Sequence, residues 1–200
     1  MKKLRLVFVL FILLIAGGVT SLFAQAEVLT YDHRVPGDRS MTIDIGPTFP
    51  LFIQDFSGNI GPTNLSLGAN IGLDIQFYLT NNFKLGGELK GFAAGDPNNN
   101  LLFMVPITLK GDYEFDFFPF TIPVGLGAGI CFNNYLASTN INPVLSPTTG
   151  FYWNANTSWS FGVNLTYWMV FDLYSGNPIP TSQDRIGNFL ESNLAAVYHF

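Results

Sequence analysis

From Leu65 to Leu79 the chain alternates without a slip. Leu65, Leu67, Ala69, Ile71, Leu73, Ile75, Phe77 and Leu79 take the odd positions, and Ser66, Gly68, Asn70, Gly72, Asp74, Gln76 and Tyr78 the even ones. An extended strand turns successive side chains to opposite faces, so this register predicts one long strand with an apolar face and a small polar face. Nothing in the rest of the chain after residue 26 has a helical period worth naming.

The same period of two returns in segment after segment. Over 42–53, Ile43, Ile45, Phe49, Leu51 and Ile53 oppose Thr42, Asp44, Gly46 and Thr48. Over 83–90, Phe83, Leu85 and Leu89 oppose Lys84, Gly86, Glu88 and Lys90. Further strands are predicted over 103–115, 118–132 and 159–171, and over 190–200, where Leu190, Leu194, Ala196, Tyr198 and Phe200 share a face. Residues 145–155 carry the weakest pattern, resting on Phe151, Trp153 and Ala155. Together these make about eight strands. The connections read as long at 54–63, short at 80–82, medium at 96–100, short at 116–117, long at 135–144, short at 156–158 and long at 174–187.

Where does such a chain put its apolar surface? Only 12% of its residues are charged while 16% are aromatic, thin solvation for a water-soluble domain. No stretch after residue 26 is apolar for long enough to form a transmembrane helix, and the only other backbone that satisfies itself in hydrocarbon is a closed barrel. Segments of about 9 to 11 residues span a membrane as tilted strands, and short turns at one end with longer loops at the other are the habit of such barrels. The predicted fold is therefore all-β: a transmembrane antiparallel up-and-down β-barrel.

The N-terminus agrees. Met1, Lys2, Lys3 and Arg5 precede the apolar run Val7 to Ala16 and the small-residue site Ala24-Gln25-Ala26, the plan of a cleaved signal peptide. Residues 1–26 are expected to be removed, 27–39 to form a short periplasmic leader, and 40–200 to form the barrel in the outer membrane. Three of nine basic residues leave with the signal, so 6 basic residues face 14 acidic ones, a formal charge of −8. An acidic chain without a basic run is no candidate for nucleic acid. The single cysteine, Cys131, has no internal partner.

Parity alone does not say which face is outside, because a secreted lipocalin-like barrel also alternates, with its apolar side inward. The composition of the polar face decides: it is mostly Gly, Ser, Thr and Asn, suited to a narrow lumen. With the apolar side outward, Phe77, Phe83, Tyr113, Phe115, Phe118, Phe120, Trp153, Trp159, Tyr198 and Phe200 gather at the short-turn rim as an aromatic girdle. Tyr198 and the terminal Phe200 look like the strand signal by which the barrel-assembly machinery recognises its clients.

Leu67 to Leu85, Val105-Pro106-Ile107-Thr108-Leu109, Pro123 to Phe132 with its Gly-Leu-Gly-Ala-Gly core, and Val163-Asn164-Leu165-Thr166-Tyr167-Trp168 carry a resemblance. The chain resembles the small eight-stranded outer-membrane barrels, the OmpW, OmpX and OmpA transmembrane-domain families. That resemblance implies a monomeric barrel with both termini in the periplasm and, for OmpW-like members, passage or binding of small hydrophobic compounds.

With that orientation, the lumen divides by height. Asp44, Asp74, Lys84, Glu88, Lys90, Lys110, Asp112, Glu114 and Glu191 face inward toward the periplasmic end, and eight strands leave just enough room for such side chains to plug the barrel. Three lysines among six acids require further neutral donors, water or protons. Higher up, Phe92, Leu102, Met104, Trp168, Val170 and Phe189 point inward, where they either pack beneath the loops or line a cup for a small hydrophobic molecule. His33 and His199, the two histidines, lie beside no evident serine and carboxylate set, so no catalytic residue is expected. Neither a metal-ligand spacing nor a cofactor motif is present. The sequence leaves three readings open: a narrow channel or binding barrel for small hydrophobic solutes, a non-conducting structural or adhesin-like surface barrel, and the secreted lipocalin-like barrel.

Overall fold

The computed structural model describes residues 34–98, 100–135, 138–173 and 184–200. The signal segment 1–26, His33 and residues 174–183 lie outside the described residues, and the leader 27–39 is described only from residue 34 onward.

All regular structure among the described residues is strand: β1 (Arg39–Asp55), β2 (Ile60–Gly61), β3 (Gly68–Tyr78), β4 (Phe83–Gly95), β5 (Leu101–Phe117), β6 (Phe120–Tyr135), β7 (Ser138–Asn154), β8 (Trp159–Asp172) and β9 (Arg185–His199). Each long strand pairs antiparallel with the next, and β9 returns to β1 from Ser40 opposite His199 to Asp55 opposite Arg185. Eight strands thus close an up-and-down barrel. The two-residue β2 only extends the rim, with Ile53 opposite Gly61. Closure leaves no unpaired strand edge.

The faces are inverted relative to a water-soluble barrel. Along β3, Asn70, Asp74, Gln76 and Tyr78 are buried inside while Ile71, Leu73, Ile75 and Phe77 are exposed outside. Every other long strand keeps that parity, with Leu109, Leu126, Phe161 and Leu194 exposed and Lys110, Thr148, Asn164 and Glu191 buried. Polar groups inside and an apolar coat outside exclude the lipocalin-like arrangement and suit hydrocarbon. The girdle at the short-turn end is assembled by ring contacts: Trp159 lies 4.9 Å from Tyr198, which stacks on Phe200 at 5.7 Å, and Phe120 stacks on Phe151 at 5.0 Å.

Four details depart from the sequence reading. Within the stretch 135–144, Tyr135 and residues 138–144 are strand, because the backbone pairs from Tyr135 opposite Ser138 to Ile130 opposite Pro143. Side-chain pattern hides this strand, since its inward Val144 meets an apolar upper lumen while Ile141 is apolar outside. The turn expected at 116–117 lies at Phe118–Pro119, and β9 starts at Arg185 rather than near Leu190. Leu65 and Leu67 precede β3 instead of belonging to it. In β1 the register to β9 slips between Pro50 and Phe52, a bulge at Leu51.

Proline in these strands falls where a ladder breaks. The β4–β5 pairing stops at Leu89 opposite Ile107 and resumes at Phe92 opposite Met104, across Pro106, which has no N–H to donate. Residues of β5 and β7 number 17 each. At about 3.3 Å per residue and about 45° of tilt, they rise roughly 40 Å, well past an apolar band of about 25 Å. The long-loop end therefore stands clear of the bilayer.

Candidate functional site

The lower lumen is a stack of three lysines, each held by carboxylates from other strands. Nearest the short turns, Lys84 Nζ meets Glu114 Oε1 at 2.8 Å, and the Tyr78 hydroxyl donates to Glu114 Oε2 at 2.8 Å. Above it, Lys110 Nζ lies 3.1 Å from Asp74, 3.6 Å from Asp112 and 3.7 Å from Glu88. Highest, Lys90 Nζ lies 2.9 Å from Glu191, 3.5 Å from Asp44 and 3.7 Å from Glu88. Glu88 therefore joins the upper two layers.

Neutral donors supplement the three cations. Gln76 Nε2 donates to Asp112, Asn193 Nδ2 to Asp44, Thr108 Oγ1 to Glu88 and Thr48 Oγ1 to Glu191. Asn70 Nδ2 bridges Thr48 and Asn193. Of the nine charged residues read from the sequence as lumen groups, Asp44, Asp74, Glu88, Lys90, Lys110, Asp112 and Glu191 join one network, and Lys84 with Glu114 forms a separate pair beneath it. Inward glycines make the room: a Cβ on Gly125 would strike Asp112 Oδ1.

An apolar layer caps the charges. Phe92, Met104, Trp168, Val170 and Phe189 are buried together, with Leu102 packed against them, and Lys90 Nζ sits 5.6 Å from the Trp168 ring centroid. Between this layer and Glu191 only about 10 Å³ remains, too little for more than one water. The six residues expected to line a cup thus divide. Phe92, Met104 and Trp168 form a plug, whereas Leu102, Val170 and Phe189 show their upper sides to a cavity of about 560 Å³ at the long-loop mouth.

Several members of this region were not among the residues expected there, and the alternation had put Leu65 on the outward face instead. Leu65, Ala94, Cys131 and Val144 join the apolar layer; the Cys131 thiol is fully buried and donates to Asn133 Oδ1. Asp96, Asp172 and Arg185 come to the mouth from loop, β8 and β9. Their contribution depends on which loops meet, which no local pattern reports.

The loop 96–100 is fastened by its own first residue. Asp96 Oδ1 accepts from the backbone N–H groups of Asn98 and Asn100, and Oδ2 accepts from Asn100 Nδ2 and the Tyr135 hydroxyl. These donors, the Asn100 side chain first, hold the carboxyl pKa down at about 2. Asp55 repeats the device with Ser57 and Asn59.

At the opposite mouth the structure corrects one expectation. His199 Nε2 lies 3.0 Å from Ser160 Oγ, which donates to Asn154 Oδ1 at 2.7 Å. A serine does stand beside this histidine. The second ring nitrogen, Nδ1, has no hydrogen-bond partner, so no carboxylate orients the ring as a catalytic base requires. Among the described residues no cluster of His, Cys, Asp or Glu is placed to hold a metal ion.

Comparison with known proteins matches this geometry. The fold is similar to that of Neisserial surface protein A (TM-score 0.62, 10% identity, 82% of this chain and 99% of that one). It is also similar to the outer membrane protein OprG from Pseudomonas aeruginosa (TM-score 0.53, 12% identity, 84% and 97%) and to the outer membrane protein AlkL (TM-score 0.50, 14% identity, 86% and 93%). In sequence, an uncharacterised protein of Borreliella burgdorferi is 28% identical over 194 residues, covering 86% of this chain and 89% of that protein. One from Treponema pallidum is 27% identical over 158 residues, covering 74% and 72%. A protein-family model is matched from residue 23 to residue 198, so the chain belongs to that family, and the fold it carries is that of the small eight-stranded outer-membrane barrels.

Proposed function

We propose that this barrel resides in the outer membrane and binds small apolar solutes in the bowl at its long-loop, outward-facing mouth. The observation that carries the reading is the cavity of about 560 Å³ floored by Leu102, Val170 and Phe189 and closed below by the apolar and ionic layers. Its size falls within the roughly 300–1,000 Å³ common to small-molecule sites. An apolar floor ringed by polar loop groups gains from excluding water from a greasy ligand. Because the lumen beneath is packed, the bowl acts as a binding site rather than the entrance of an open pore.

The test is direct titration of octanol into lipid nanodiscs carrying the mature chain, with empty nanodiscs subtracted. Wild type should bind, and Leu102→Asp should weaken binding at least tenfold by placing a charge on the floor. A wild-type signal equal to that of empty nanodiscs would overturn the reading.

A second reading, a surface-interaction barrel, draws on the β6–β7 hairpin, whose 16- and 17-residue strands carry it beyond the membrane. Replacing 134–140 by a two-residue turn should abolish attachment to a surface partner.

A further inference from the structure

Arg185 opens β9 at the rim of the bowl, and its strand partners are both aspartates, Asp55 on β1 and Asp172 on β8. Two acids flanking one arginine should pair with it. Yet neither holds it: among the described residues no ion pair reaches Arg185, and its side chain is exposed. The reason lies in the partners. Both oxygens of Asp55 are taken by Ser57 and Asn59 within their own turn, and Asp172 accepts from Asn142 Nδ2. Asp96, the other acid lining the bowl, is engaged by four donors.

Among the described residues the guanidinium is thus the one cation lining the cavity, and none of them pairs with it in an ion pair. Amide groups of Asn64, Asn98 and Asn140 line the same cavity. Along β9 the inward positions run Arg185, Gly187, Phe189. A Cβ on Gly187 would lie 3.0 Å from Phe189 Cε2, so the ring leans over the glycine toward the mouth. One strand therefore presents a fork of donors at the rim and an aromatic floor two inward positions below.

Resting on the bowl-binding reading above, we infer that the preferred solute is an amphiphile with a carboxylate head, the head paired with Arg185 and the aliphatic tail laid on Phe189, Val170 and Leu102. Arginine presents parallel N–H groups that match a carboxylate bidentately. The tail adds area-proportional apolar burial. Neither neighbouring aspartate pairs with the guanidinium, Asp55 being held within its own turn and Asp172 accepting from Asn142, and once the head has taken the guanidinium's charge they disfavour a second anion in the bowl. A cationic head would instead face Arg185 directly.

The experiment titrates octanoate, methyl octanoate and octylamine separately into nanodiscs of zwitterionic lipid bearing the mature chain, each corrected by empty nanodiscs. Octanoate should bind at least tenfold more tightly than its methyl ester, and octylamine more weakly than either. Arg185→Gln should remove the preference for octanoate over the ester, and Arg185→Lys should restore part of it, while Phe189→Ala weakens octanoate and the ester alike. Raised salt should narrow the octanoate advantage, as an exposed charge contact requires. If the ester binds as well as octanoate, or if Arg185→Gln keeps the ratio, the carboxylate preference is overturned while apolar binding in the bowl stands. If none of the three binds, the bowl reading falls with it.

Discussion

Lys90 Nζ lies 2.9 Å from Glu191 Oε2, an ion pair that joins β4 to β9 across the lumen although neither strand is the other's neighbour in the sheet. The same ammonium also faces Asp44 and Glu88, so one cation ties β1 and β9 to β4 and its own carboxylate. Removing it leaves buried acids without their counter-charge. Lys90→Met should therefore destabilise the folded barrel by about 3–5 kcal/mol, read from the urea midpoint in micelles by heat-modifiable gel mobility. The double change Lys90→Met with Glu191→Gln should recover part of the loss. Wild-type stability in the single variant would show that the network is not held together by this lysine.

Depth on the outer face sets the cost of a charge. Leu73 is exposed near the middle of β3, whereas Leu101 is exposed at the long-loop end of β5. Leu73→Arg should cost about 2–4 kcal/mol in lipid and Leu101→Arg about 0–1 kcal/mol. Equal tolerance at both would place hydrocarbon somewhere other than the barrel's mid-height. On strand parity alone, an arginine at Asn70 on the opposite face would be expected to cost less than one at Leu73. The structure revises this, because Asn70 is buried and bonded to Gly46, Thr48 and Asn193, and no room exists for the longer chain.

Two glycines separate wall-to-wall contact from open exterior. A Cβ on Gly129 would press into the Ile107 carbonyl and Thr108 Cα, both backbone, while one on Gly87 would meet nothing within 4 Å. Gly129→Ala should cost about 1–3 kcal/mol through overpacking. Gly87→Ala should be neutral or stabilising by about 0.4–1 kcal/mol, since it restricts the unfolded chain without strain. Refolding yields and urea midpoints in the same detergent check both.

Acid should loosen the 96–100 loop late. Its depressed pKa means that Asp96 contributes stability above the ordinary carboxylate value of 3.8 and loses it as pH falls toward about 2. Backbone amide shifts of Asn98 and Asn100, followed by NMR, should titrate near pH 2. Tyr135→Phe removes the 2.7 Å hydroxyl donor to Asp96 and should move that midpoint upward. An unchanged midpoint would show that the tyrosine adds nothing to holding the charge.

Particular residues show how far local pattern reaches. The alternation from Gly68 to Tyr78 is strand in the structure, and the inward set Lys84, Glu88 and Lys90 is buried as its parity requires. Residues 138–144 were misread as loop because Asn, Pro and Ser interrupt a pattern that, above the membrane, no longer separates lipid from lumen. The choice between packing and a cup stayed open in the sequence for a different reason: Phe92, Met104 and Trp168 face inward as expected, but only their mutual packing turns an apolar lining into a plug.

The sequence by itself determined how the side chains of most strands divide between an apolar and a polar face, because period-two chemistry is a local property that survives whatever the neighbours do. Only the closed barrel decided which acid meets which lysine and why Arg185 stands unpaired. Those pairings join residues up to a hundred positions apart, and they depend on the register at which β9 returns to β1 and on turns that satisfy Asp55 and Asp96 before any partner strand can.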